Sequence, residues 1–238
     1  MAKWNTKCRF FNEKYACDTL SSEGYKDCDE CKFTQEYSKK ILIIKLGAMG
    51  DVLRTTSILP ALRKKYGENI LIYWMTNSES VEVIQDNYLI DKILLYNLEN
   101  VLRIQQEKFD ILFTLEIDTP ATLLATLVDA DEKFGFFFDN GVTFCFNQGA
   151  EAYLETAFLN HIKIKNRRTY QNLIFEACEL PYTLEKPIFN VHEKYSKFAE
   201  EFMKNNNLSK EDNIIGINIG SADRWESKFW DIEKVKDL

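Results

Sequence analysis

The stretch ILIIKLGAMGDVLRTTSILPALRKKYG, Ile41 to Gly67, decides the fold of this 238-residue chain. From Lys40 to Leu46 it is short and nearly all apolar, the pattern of a parallel strand buried on both faces. Gly47-Ala48-Met49-Gly50 turns the chain. Beyond Asp51, Val52, Leu53, Ile58, Leu59 and Leu62 fall roughly on one helical face. Gly67 closes that helix as a C-cap, and Pro60, which lacks a backbone donor, interrupts and kinks it. A strand, a glycine turn and a helix in this order make backbone N–H groups converge on an anion.

The same alternation extends outward. Residues 70–75, 90–96 and 109–117 read as further strands, and Thr119-Pro120 opens a helix with a cap followed by a first-turn proline. Short strands at 133–138 and 142–146 follow, then amphipathic helices over 166–180 and 193–207. Residues 213–220 read as a new strand with a glycine turn. The expected fold is α/β: a Rossmann-like parallel sheet with flanking helices and right-handed crossovers. The expected division is a Cys-rich module over 1–39, the Rossmann-like domain over 40–190, a helical linker over 191–212, and over 213–238 the start of a second, apparently truncated domain.

A formal charge of −7 speaks against nucleic acid as a partner, because neutralising phosphates needs a basic face. No run approaches the roughly 20 apolar residues of a membrane helix, and the N-terminus lacks the apolar core of a secretory signal. The expected location is therefore cytoplasmic, where structural disulfides are rare. Cys8, Cys17, Cys28 and Cys31 are spaced C-x8-C-x10-C-x2-C, and four thiolates can complete a tetrahedron around an ion. A structural zinc is the expected occupant, with an iron–sulfur cluster as the alternative. Cys145 and Cys178, among apolar residues, read as buried packing thiols.

The loop at Gly47–Asp51 is neither the dinucleotide fingerprint, which needs G-x-G-x-x-G, nor a Walker A loop, since no Gly-Lys-Ser/Thr follows. Ligands of open α/β sheets bind outside the carboxyl ends of the strands, where Asp51 falls. Its carboxylate could cap the helix, neighbour a phosphate site or take a proton from a substrate hydroxyl. Glu116 and Asp118 end the fourth strand on the same side; they suit contacts to acceptor hydroxyls, although Asp118 more readily caps the next helix. Arg167 and Arg168, with Lys163 and Lys165, form a basic run that is either a solvated face or an anion site for an acidic acceptor. Asp129-Ala130-Asp131 matches a metal-binding D-x-D without the context for it, and His161 and His192 lack partners for a triad or metal.

Residues 41–67 resemble the opening of the bacterial heptosyltransferases, glycosyltransferase family 9, whose first strand and helix read like ILIIRLSSLGDVLLTTPLLRALR. FDILFTL and KFGFFF resemble the family's fourth strand and the one after it, and residues 214–234, with Lys228-Phe229-Trp230, are similar to the opening of its second domain. The resemblance implies the N-terminal half of a GT-B fold and an inverting transfer of a sugar from a nucleotide-sugar donor, without a catalytic metal. It implies a lipopolysaccharide or other surface-glycan acceptor, glycan or glycolipid, met at the inner membrane face by a peripheral protein with no transmembrane segment. By position Asp51 would be the base, and Lys228, Gly220 and Ser221 would lie at the donor phosphates; Gly47, Gly50, Glu116, Arg167 and Arg168 are the acceptor-side candidates. Gly47-Ala48 replaces the family's serine pair, so hydroxyl contacts from that pair are lost. The alternative reading is a non-catalytic acceptor-binding or protein-interaction half-domain lacking the donor site.

Overall fold

The computed structural model describes residues 4–11, 17–209, 211–217 and 231–236. Its centre is a six-stranded sheet built from β1 (Lys40–Ile44), β2 (Leu71–Thr76), β3 (Lys92–Leu95), β4 (Lys108–Thr114), β5 (Asp129–Asp139) and β6 (Val142–Cys145), in the order β3-β2-β1-β4-β5-β6. All pairs are parallel except β5 with β6, a hairpin joined by Asn140-Gly141, both at positive φ.

Alternate residues of the central strands point to opposite faces, and both faces are apolar, so helices cover both. On one face Ile41, Ile43, Ile72, Trp74, Ile111 and Phe113 pack with residues of α2 (Met49–Thr55), α3 (Ile58–Tyr66) and α8 (Tyr170–Ala177). On the other, Leu42, Ile44, Tyr73, Met75 and Leu112 pack with Ile104 of α4 (Leu98–Gln106) and Ala121, Leu124 and Ala125 of α5 (Thr119–Leu127). The α/β class expected from the alternating pattern is the one observed.

The kink expected at Pro60 is a break between α2 and α3 at Thr56-Ser57. Proline at 60 has no N–H for the Thr56 carbonyl, four residues back, and its ring crowds that carbonyl. Side chains fill the gap: Thr56 Oγ1 accepts from the Ile188 N–H at 2.8 Å, and Ser57 Oγ donates to the Arg54 carbonyl at 2.8 Å.

Further α-helices among the described residues are α1 (Asp18–Glu23), α6 (Glu151–Phe158), α7 (Asn160–Lys165), α9 (Glu193–Asn205) and α10 (Ile232–Lys236). The chain divides into two compact units, Met1–Asn190 and Val191–Leu238. Within the first, Arg9 ties the N-terminal segment to the sheet by donating to Asp91 at 2.9 Å and to the Ile70 carbonyl at 3.1 Å. In the second, the strand expected over 213–220 is not formed at 213–217, and 218–220 lie outside the described residues. A strand requires a hydrogen-bonded neighbour, and none among the described residues pairs with 213–217; Ile215 is 84% exposed.

Candidate active site

The strand order sets the site. From β1 the chain builds outward through β2 and β3, then returns to place β4 on the other side of β1. The segments leaving β1 and β4 therefore diverge, and the crevice between them at the carboxyl edge is where α/β sheets of this order take ligands. Residues 45–48 leave β1 for α2, and residues 115–118 leave β4 for α5.

Helix α2 begins one turn earlier than a cap at Asp51 would require. Ala48 is the N-cap, and its carbonyl accepts from the N–H groups of Asp51 at 2.7 Å and Val52 at 2.9 Å. The expected capping role of Asp51 is thus corrected: it lies inside the first turn, where its charge favours the helix dipole without closing the end. Its carboxylate pairs with Arg54, one turn on, and remains about a third exposed. The Arg54 guanidinium lies 4.3 Å from the centre of the Tyr170 ring. The Tyr170 hydroxyl is 2.8 Å from Thr55 Oγ1, which donates to the Asp51 carbonyl at 2.7 Å.

Tyr153 packs edge-on to Tyr170, with ring centres 6.1 Å apart. Burial, reinforced by the charges of Asp51 and Glu116, pushes its phenol up to about 12. Burial also holds the Tyr170 phenol well above its ordinary value, against the lowering effect of the Thr55 bond. Both carry uncharged hydroxyls at neutral pH.

The loop glycines leave room at the start of α2. A Cβ at Gly50 would meet nothing within 4 Å, and one at Gly47 only Asn77 Nδ2 at 3.8 Å. A hydroxyl in this space could give its proton to the Asp51 carboxylate.

Glu116 is buried, 7% exposed, and turned to the protein: its Oε2 accepts from the N–H groups of Leu46 at 2.8 Å and Gly47 at 3.1 Å. Its Oε1 lies 3.3 Å from Nζ of Lys45, itself 2% exposed. Asp118 occupies the N-cap position of α5, but its carboxylate makes no capping bond. Arg168 pairs with Glu176, and Arg167 donates to the carbonyls of Ile164 and Asn166, so both guanidiniums brace the turn before α8. Gly220, Ser221 and Lys228 lie outside the described residues.

The cysteine expectation is not supported. Among the described residues, no group of three or more His, Cys, Asp or Glu is placed to hold a metal ion. Cys8, Cys17, Cys28 and Cys31 are free, partly exposed thiols. The C-x2-C pair does form a turn, with the Cys31 N–H 3.3 Å from the Cys28 carbonyl, whereas Cys8 is drawn into a β-bridge with Glu36. As placed, the four thiols are not gathered into a zinc or iron–sulfur site, and the expected metal is without support. Cys178 is buried as expected and its thiol is raised by that burial; Cys145 is only half-buried, with a thiol raised to about 11.

Lys45, Arg54, Tyr153 and Tyr170 were not singled out from the sequence. Arg54 had a local signal, an opposite charge three residues from Asp51 on one helix. The two tyrosines come from elements a hundred residues away and had none.

The sheet, parallel through β1–β5, carries a glycine loop and a partly exposed carboxylate at its switch point, an arrangement of the Rossmann-like kind. Comparison with known proteins narrows this. No family model matches the chain. It is 22% identical over 210 residues to lipopolysaccharide heptosyltransferase 1 of Campylobacter coli, covering 82% of this chain. The chain spans 58% of that relative's length. A glycosyl transferase family 9 structure from Veillonella parvula superposes with a TM-score of 0.63 at 21% identity, over 84% of this chain and 59% of that one. In sequence the chain is similar to a lipopolysaccharide heptosyltransferase, and its fold is like that of a solved glycosyl transferase family 9 structure.

Proposed function

We propose that the protein is a heptosyltransferase-type glycosyltransferase that moves a sugar from a nucleotide-sugar donor to a lipopolysaccharide precursor or related surface glycan, with inversion. The observation that carries the reading is the position of Asp51: a partly exposed carboxylate in the first turn after β1, at the switch-point crevice, with open space over Gly50. The acceptor hydroxyl oxygen attacks the anomeric carbon, Asp51 takes its proton, and the nucleoside diphosphate departs with the electron pair of the broken glycosidic bond. No metal is needed for that balance. Lys228 and the Gly220-Ser221 turn would stabilise the leaving diphosphate. Exposed Arg167, at the turn before α8, suits an acidic group on the acceptor.

The test is transfer by the full-length protein, with a panel of nucleotide sugars and a deacylated lipopolysaccharide core acceptor, read as a mass increment of one sugar. One donor should give product with inverted anomeric configuration. No product with any donor, together with retained acceptor binding, would favour the non-catalytic acceptor-binding reading.

A further inference from the structure

We propose that Glu116 is a positioning residue: with buried Lys45 it hangs the loop that carries Asp51 from the end of β4, and it does not touch the acceptor. One carboxylate takes two successive backbone donors, Leu46 and Gly47, and one ammonium. From the other side the loop is held by β2: the Leu46 carbonyl accepts from the Asn77 N–H at 3.0 Å and from Thr76 Oγ1 at 3.2 Å. The loop is therefore fixed from both neighbouring strands, and α2 starts two residues after Gly47.

Turning the Glu116 carboxylate toward a substrate would leave the Lys45 ammonium and two N–H groups unpaired in the interior, which buried charges and donors do not tolerate. Its effect on transfer must act through where the loop puts Asp51. Displacing a catalytic group by an ångström is enough to slow a reaction on the order of 100-fold.

The inference rests on Asp51 acting as the base, so the test carries a readout that needs no substrate. In Glu116→Gln, which keeps the side-chain size and one amide oxygen, amide hydrogen exchange at Leu46 and Gly47 should accelerate about 10-fold or more as the bridged acceptor is lost. In the full-length protein kcat should fall roughly 10- to 100-fold while the acceptor KM stays within about 2-fold. Lys45→Arg, which retains the cation, should restore most of the kcat that Lys45→Met loses. Should Glu116→Gln fail to fold, the charge-balanced double variant Lys45→Met/Glu116→Gln carries the same two readings. Unchanged exchange at both amides would overturn the proposal, as would an acceptor KM raised 10-fold with kcat intact. If Asp51→Asn transfers normally, the base assignment fails, and the exchange result still judges Glu116.

Discussion

The guanidinium of Arg54 lies 4.3 Å from the centre of the Tyr170 ring and pairs with Asp51. A residue of α8 thereby sets the orientation of the cation beside the acidic group of α2. Removing the ring should release Arg54: Tyr170→Leu should lower kcat for transfer. Tyr170→Phe keeps the ring and loses only the hydroxyl bond to Thr55, so it should cost about 1 kcal/mol of stability with near-normal activity. Urea unfolding and steady-state rates on the two variants separate these effects.

Glycine at 135 is required by both conformation and space. Its φ is +92°, and a Cβ there would sit 1.9 Å from the Thr114 carbonyl oxygen of the neighbouring strand. Gly141 has a similar φ of +86° but nothing within 4 Å of an added Cβ. Gly141→Ala should cost about 1–2 kcal/mol, the left-handed penalty alone. Gly135→Ala should cost at least about 4 kcal/mol, because β4 and β5 must separate. Equal losses for the two in urea titrations would contradict this.

Asp91 gathers donors from three segments, two of them charged. It accepts from Arg9 at 2.9 Å, from the Ile72 N–H at 2.8 Å and from Arg63 at 3.4 Å, whose guanidinium is buried under the Leu89 and Glu68 carbonyls. Asp91→Ala leaves Arg63 with an unbalanced buried charge and should destabilise by about 3–5 kcal/mol. Arg9→Ala, at the more open edge, should cost about 1 kcal/mol or less. Thermal unfolding of both variants checks the ordering.

Alkaline pH should weaken the fold. Burial holds the Tyr153 phenol at about 12 and raises the Tyr170 phenol and the Cys178 thiol as well. The unfolded chain releases these protons at about pH 8.5–10, while the folded chain keeps them. The stability they contribute is complete below that range and is lost as pH rises toward the folded values. The thermal midpoint should fall between about pH 9 and pH 11, and Tyr153→Phe should flatten that fall. Parallel curves for parent and variant would show that Tyr153 contributes nothing.

The sheet was legible because its strands are buried on both faces: continuous apolar runs such as Ile41–Ile44 and Leu71–Met75 have no other stable use in an alternating chain. The carboxyl edge of β1, where the candidate site is proposed, could be placed from the same stretch, since a glycine turn follows the first strand. What local pattern could not convey was pairing across the sheet. Lys45 looked like a blemish in an apolar strand and Glu116 like a ligand contact, and only the β1–β4 register puts one against the other, 71 residues apart. The cap at Ala48 was missed because alanine carries no capping signature, so Asp51, three residues later, drew the assignment. The cysteine spacing suggested a metal, yet spacing does not report whether the thiols are gathered, and among the described residues they are not.

The central claim, that Asp51 is the base of a sugar transfer, is tested most directly by kcat of Asp51→Asn in the full-length protein with its best donor. Asparagine keeps the size and the first-turn position while removing the proton acceptor. The account predicts a loss of about 100- to 10,000-fold with an unchanged melting temperature. A kcat within a few-fold of the parent would contradict it.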